Sequence, residues 1–368
     1  MEGRGRVAHQ TLENGDKSVR FHGSAAGRLD IYSPGAFDAS KSGVIKPWKD
    51  YRYRLESWGC QLLARTIPLL SRSGVVGLGQ LLGALVYWFD YRGRPVALAN
   101  IALALGHRLT QERQREAVRC SYQNFACTML GLFWSPRITD ENACEFIEPV
   151  GFDAVIERSR AERRGIVFVC AHQGNWEWSS IAFAMAGGRA NIVAEDFKNT
   201  ALTELFCRLR GRGVHTIVAQ EKSMLKLLRA VARGEASALL GDLNLEPCGA
   251  AVVIETFPLE GVPLEVCVTR MHAVLAKRGH ALLVPALSYP ISGGRLRVVA
   301  QPVIEAENLS DRELAQKTWE VFERHIVQRP DLWLWAYKHF KFRPLEAKRR
   351  YPYYSNPHPE YEAMRGEK

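Results

Sequence analysis

The eight cysteines of this 368-residue chain include no Cys-x-x-Cys pair. That removes zinc ribbons and thioredoxin-like redox motifs, and no disulfide framework is expected. Most cysteines sit inside apolar runs, where a free thiol packs as a small hydrophobe. Residues 1–50 lack the apolar core of a secretory signal, so a reducing, cytoplasm-facing location is expected. No His-Glu-x-x-His and no Gly-x-Ser-x-Gly occurs, which excludes the common zinc-protease and serine-hydrolase solutions. The net charge is +10, yet there is no long Lys/Arg block and no zinc-finger spacing. Nucleic acid is therefore not expected as a partner. A long hydrophobic run is missing too. The longest uncharged apolar stretch, Ser73–Phe89, is seventeen residues, short of the roughly twenty that a spanning helix needs.

What is present is ordinary globular composition, 47% hydrophobic and 24% charged, with nine tryptophans. Residues 1–50 are Gly-, Ser- and charge-rich without periodicity and read as a poorly ordered tail. Gly59–Phe89 is apolar but interrupted by Arg65 and Arg72. It suits an interfacial helix or helical hairpin with the arginines at headgroup level. Arg94–Leu105 and Gln111–Trp134 read as helices, the second capped by Thr110. From Glu162 onward, short apolar runs (Ile166–Cys170, Asn191–Ala194, Val214–Val218, Ser237–Leu240, Val252–Ile254, Ala281–Leu287, Leu296–Val299) alternate with helical stretches at Trp176–Met185, Thr203–Arg210, Glu221–Arg233 and Leu264–Lys277. Arg312–Val327 is a further helix. The expected fold is α/β, with a mixed central sheet covered by helices and a helical membrane-proximal segment in front. The expected divisions are a tail at 1–50, a membrane-associated helical segment at 51–140, an α/β catalytic domain at 141–345 and a tail at 346–368.

The chemistry gathers at Ile166-Val-Phe-Val-Cys-Ala-His-Gln-Gly-Asn-Trp-Glu177. A buried strand runs into His172, and Gly174 and Asn175 turn the chain toward a helix that carries Glu177. Sites in open α/β sheets form at the carboxyl ends of strands. On one straight helix His172 and Glu177 would point about 140° apart, but a loop-to-helix junction lets them meet. The expected roles are His172 as general base and Glu177 as the group that fixes its tautomer.

His172-Gln-Gly-Asn-Trp-Glu177 resembles the H-x4-D/E block of the bacterial lipid A biosynthesis acyltransferases of the late, Kdo-dependent type, within the glycerolipid acyltransferase superfamily. Pro330-Asp-Leu-Trp-Leu-Trp-Ala-Tyr-Lys-His-Phe-Lys341 resembles that family's C-terminal Pro-x-x-Trp/Tyr-x-Trp-x-His-Arg-Arg-Phe-Lys block. The likeness runs from about Trp58 to Pro344. Departures are Asp242-Leu-Asn244 for Asp-Gln-Asp, Phe257-Pro-Leu-Glu-Gly261 for Phe-Phe-Gly, and Tyr337 for the C-terminal His.

The resemblance implies transfer of a fatty acyl chain from acyl carrier protein or coenzyme A to a hydroxyl of a lipid or glycolipid, with no metal or redox cofactor. It places the enzyme on the cytoplasmic face of the inner membrane. Gly174, Asn175, Arg208, Arg210 and Asp242 are the expected substrate-binding residues, with Arg208 preferred over Arg210 for a phosphate or the developing oxyanion. Trp333 and Trp335 read as core or interface anchors. Lys338, Lys341, Arg343, Lys348, Arg349 and Arg350 form a basic cluster suited to anionic headgroups or an acidic carrier. The acceptor stays open: a lipid A precursor, a phosphatidylinositol mannoside, an ornithine-type lipid or a lysophospholipid. A silent lipid-binding protein on the same fold is the alternative of another class. Cys170, two residues before His172 on the same strand face, is expected to pack and not to react.

Overall fold

The computed structural model describes residues 47–195, 197–220 and 223–365. The expected tail at 1–50 lies outside the described residues apart from its last four.

Four helices come first: α1 (Pro47–Thr66), α2 (Arg72–Phe89), α3 (Gly93–Leu105) and α4 (Gln111–Trp134). Thr110 caps α4 by accepting the Arg113 N–H. Pro68 sits in the single 3-10 turn between α1 and α2, where helix one ends. The glycines of α2, costly inside a helix by about 0.5–1 kcal/mol each relative to alanine, have a packing reason. Gly79 and Gly83 lie one turn apart on the face pressed against α4. A Cβ on Gly83 would stand 2.4 Å from the Gln123 Cα. The opposite face of α2 is apolar and uncovered. No helix among the described residues is long and apolar enough to cross a membrane.

The α/β part begins with the short helix α5 (Ala143–Phe146). Then strands β1 (Ile147–Val150), β2 (Ile166–Cys170), β3 (Ala190–Ala194), β4 (Thr216–Ala219) and β5 (Ala236–Leu240) alternate with α6 (Phe152–Glu162), α7 (Ser179–Met185), α8 (Thr200–Gly211) and α9 (Ser223–Ala232). A hairpin of β6 (Ala251–Leu259) and β7 (Val262–Thr269) leads to α10 (Met271–Arg278), β8 (Leu282–Pro290), β9 (Leu296–Ala300) and α11 (Asp311–Gln328). The main sheet has the order β1-β9-β8-β2-β5-β3-β4. All neighbours are parallel except the β8/β9 pair, so the sheet is mixed, as the sequence suggests. β2 is central and every one of its residues is buried, the pattern of a strand covered on both faces.

Two expectations are corrected. Leu264–Lys277 is not one helix: Val262–Thr269 is a strand paired to β6, and only Met271–Arg278 is helical. Its alternating Leu264, Val266 and Val268 favour a strand. Residues 346–365 are not a loose tail. Arg349 donates to the Leu103, Phe257 and Val262 carbonyls, and Tyr361 is fully buried with its hydroxyl hydrogen-bonded. The helices of 51–140 also share their cores with the sheet: Ile101 and Val118 pack in the same cluster as Val167 and Val169.

Candidate active site

Parallel pairing of β2 and β5 sets Cys170 beside Leu240. Two residues further along each strand are His172 and Asp242, which leave the sheet together at its carboxyl edge. The Asp242 Oδ1 lies 2.8 Å from His172 Nδ1. Its Oδ2 accepts the His172 backbone N–H at 2.9 Å and the Trp333 indole N–H at 2.8 Å. Asp242 is buried, which alone would raise its pKa. The His172 ring, then His339 and the Trp333 N–H outweigh that, and the carboxyl is held below its usual range. An ionised Asp242 takes the hydrogen on Nδ1, so His172 presents Nε2 as its basic nitrogen.

The imidazole partner is therefore Asp242, and not Glu177 as the spacing suggested. Glu177 is engaged elsewhere. Its two carboxylate oxygens meet Arg210 Nε and Nη2 at 2.9 and 2.7 Å, a bidentate pair. Burial works against the Arg210 charge, but Glu177 more than offsets it and the guanidinium pKa is raised. Gly174 and Asn175 build the turn. Gly174 has φ +60°, and a Cβ there would lie 2.0 Å from the Ser288 carbonyl oxygen. The Asn175 side chain caps the following turn by accepting the Trp178 N–H. Neither faces the cavity described next. Arg208, the preferred cation, is exposed and faces away, whereas Arg210, one half-turn on, lines it.

His172, Glu177 and Arg210 line one cavity of about 570 Å3. Its inner end is apolar: Phe152, Phe168 and Phe183 cluster there, with ring centroids 4.7 to 6.1 Å apart. Ala190, Ala238 and Ala286 on β3, β5 and β8 leave room beneath the sheet. Exposed Glu195 and Lys198 mark its mouth. Cys170 also lines it, and burial pushes its thiol up to about 12, far from a reactive thiolate.

The C-terminal block completes the site. Gln173 bridges Trp333, the Gly174 N–H donates to Leu332 O, and the Leu334 N–H donates to His172 O. Trp333 and Trp335 are wholly buried, which settles them as core residues. Polar side chains of α3 and α4 hold this junction. Asn124 donates to Gly174 O and Leu332 O, Thr128 to Gly174 O, Ser121 to Trp333 O, and Asn100 to Trp335 O and Tyr337 O. Sequence reasoning missed these four residues and the Trp333 N–H. Polar residues recurring on buried helix faces are the only trace they leave.

Two distant sequence blocks thus meet at the His172 junction. Residues 50–342 match the family model of the bacterial lipid A biosynthesis acyltransferases. The chain belongs to that family. It is an acyltransferase. Curated relatives include a lipid A biosynthesis lauroyltransferase of Escherichia coli (strain K12), 24% identical over 74% of this chain and 87% of the relative. A lipid A biosynthesis palmitoleoyltransferase from the same organism and a lipid A biosynthesis acyltransferase of Shigella flexneri are each 22% identical over 73% of this chain and 85% of their own.

Proposed function

We propose that this acyltransferase moves a fatty acyl chain from a thioester, on acyl carrier protein or coenzyme A, to a hydroxyl of a lipid or glycolipid such as a lipid A precursor. His172 is the general base and Asp242 its orienter. The observation that carries this reading is the 2.8 Å His172–Asp242 contact at the polar end of a cavity whose inner end is apolar. An acyl chain fills the apolar end and sets its thioester carbonyl near His172. Nε2 takes the acceptor's hydroxyl proton, and the oxygen attacks the carbonyl carbon. Arg210, held charged by Glu177, faces the developing oxyanion or an acceptor phosphate. The intermediate collapses, the C–S bond breaks, and the thiolate leaves with the proton returned from His172. The names of the relatives, both lauroyl and palmitoleoyl transferases, support an acyl donor of this kind.

The same reading places the protein on the cytoplasmic face of the inner membrane, peripheral or shallowly inserted. Tyr51, Leu55 and Trp58 of α1 and Leu81, Leu85, Trp88 and Phe89 of α2 are all exposed. So broad an apolar surface, rich in aromatic residues, fits the interfacial zone of a bilayer. α1 is also tied to the cavity mouth. Asn199, beside Lys198, donates to Tyr53 O and shares a hydrogen bond with Ser57.

The test is His172→Ala, assayed for thiol release and acylated lipid with acyl thioester and a lipid A precursor. Loss of about 10²–10⁴-fold in turnover is expected if a general base is removed. A folded His172→Ala protein with near-normal turnover refutes the reading.

A further inference from the structure

We infer that Trp333 is a positioning residue of the His172–Asp242 dyad, acting through Asp242 from the C-terminal block. The inference rests on the reading of His172 as base. Trp333 is fully buried, and its indole N–H is 2.8 Å from Asp242 Oδ2. That oxygen faces away from the imidazole, since Nδ1 takes Oδ1. With the His172 backbone N–H as the other donor to Oδ2, the carboxylate is held at both ends. It cannot rotate without breaking a bond to a fixed group. A bulky aromatic chosen only to fill the core would need no donor at this spot, and phenylalanine would serve.

The indole is itself clamped. The His339 ring stacks on it at 3.8 Å and 24°, and His339 Nε2 lies 2.8 Å from the Leu334 carbonyl oxygen. Burial keeps His339 neutral, its pKa lowered to about 4. Trp319 and Trp335 meet the indole edge-on at 6.1 and 4.7 Å. The bridge from Trp333 to Gln173 fixes the backbone beneath. Position 333 thus senses the residue next to His172 through its main chain and the orienting carboxylate through its side chain.

The indole hydrogen bond also draws negative charge away from the oxygen that faces His172. Removing it concentrates charge on the oxygen that faces the imidazole and frees the carboxylate to turn, so both the rate and the acid limb of the pH–rate profile should respond. The other ionisable groups around the dyad are His339 and Tyr337 from the C-terminal block, Cys170 on β2, Glu177 and Arg210 across the cavity, and Glu195 and Lys198 at its mouth. Of these only His339 touches the indole, and the benzothienyl ring preserves that stack.

The experiment replaces Trp333 by phenylalanine and, separately, by β-(3-benzothienyl)alanine, whose sulfur stands where the N–H was. The second variant keeps the shape of the core, so it remains informative if the first does not fold. Full-length protein is assayed for kcat and KM against pH with an acyl thioester and a lipid A precursor. A hydrogen bond to a charged group converts to about tenfold or more in kcat. The acid limb of the pH–rate profile should move up, with KM nearly unchanged. Trp333→His, which retains a ring N–H, should recover part of the loss if it folds. An unchanged kcat and pH profile in the benzothienyl protein overturns the inference, as does a loss of kcat with no movement of the acid limb. His172→Ala separates the two failures: if it abolishes transfer while the benzothienyl protein behaves normally, the dyad stands and the role of Trp333 falls.

Discussion

Asp242 and Glu177 are both buried carboxylates near His172, yet their partners give them different work. Asp242→Asn puts an amide where Nδ1 needs an acceptor and favours the wrong tautomer. Turnover should fall by about 10²–10⁴-fold, with thermal unfolding and KM measured alongside to show that the fold survives. The two arginines of α8 make a second contrast. Arg208→Ala should leave turnover and unfolding close to the parent, because the side chain is exposed and off the cavity. Arg210→Ala strands the Glu177 carboxylate in a largely buried place, and about 3–5 kcal/mol of stability should go with it, by the usual cost of breaking a buried pair; chemical denaturation reads this directly. Cys170→Ser should retain most turnover, and intact mass after incubation with acyl donor alone should show no stable adduct. A serine-sensitive adduct would mean a covalent route.

At the scale of elements, the outer faces of α1 and α2 and the inner end of the cavity each make a prediction. Glutamate at Leu85 and Trp88 should cut binding to anionic vesicles without lowering the unfolding temperature, since both side chains are exposed. Unchanged co-sedimentation would move the attachment elsewhere. By contrast, Gly83→Leu should destabilise by at least about 1–3 kcal/mol, because α4 backbone occupies the space. Much of this layer was legible in the sequence. The bounds of α4 follow from its Thr110 cap and apolar periodicity, and β2 from five consecutive apolar residues. The strand β7 was not legible as such, because its apolar residues also satisfy helical spacing until a partner strand selects the alternation. Likewise His172 and the block around it stand out locally. Asp242 could be placed near a cleft, but its pairing with His172 depends on β5 lying beside β2, and β3 and β4 intervene in sequence. Pairing across seventy residues leaves no periodic mark.

For the whole molecule, two buried histidines weaken stability in mild acid. His272 and His339 are buried, and burial lowers both to about 4 from an ordinary value near 6.5. Unfolded, each takes up a proton as pH falls through about 6.5; folded, neither does until about 4. Stability is therefore unaffected by them above pH 7 and declines as pH drops from about 6.5 toward 4. At pH 5.5 each should cost about 1–2 kcal/mol. His272→Gln, at a residue that is not in the cavity lining, should flatten the pH dependence of the unfolding midpoint in that window. A slope equal to the parent's would show that other groups govern it.

The hydrogen bonds from residues 332–334 to the His172 junction also imply an order in time. A ribosome delivers His172 and Asp242 long before residues 330–341, and chains fold from their beginnings as they emerge. Until the last block arrives, Gly174 N–H and His172 O lack the Leu332 and Leu334 groups that fix them, and Asp242 lacks its second side-chain donor. A growing chain can thus bury β2 and β5 and present an open acyl chamber while its acid–base pair is still unlatched. Stalled chains ending between residues 300 and 329 should transfer nothing, and activity should switch on sharply once the segment through Lys341 has cleared the tunnel.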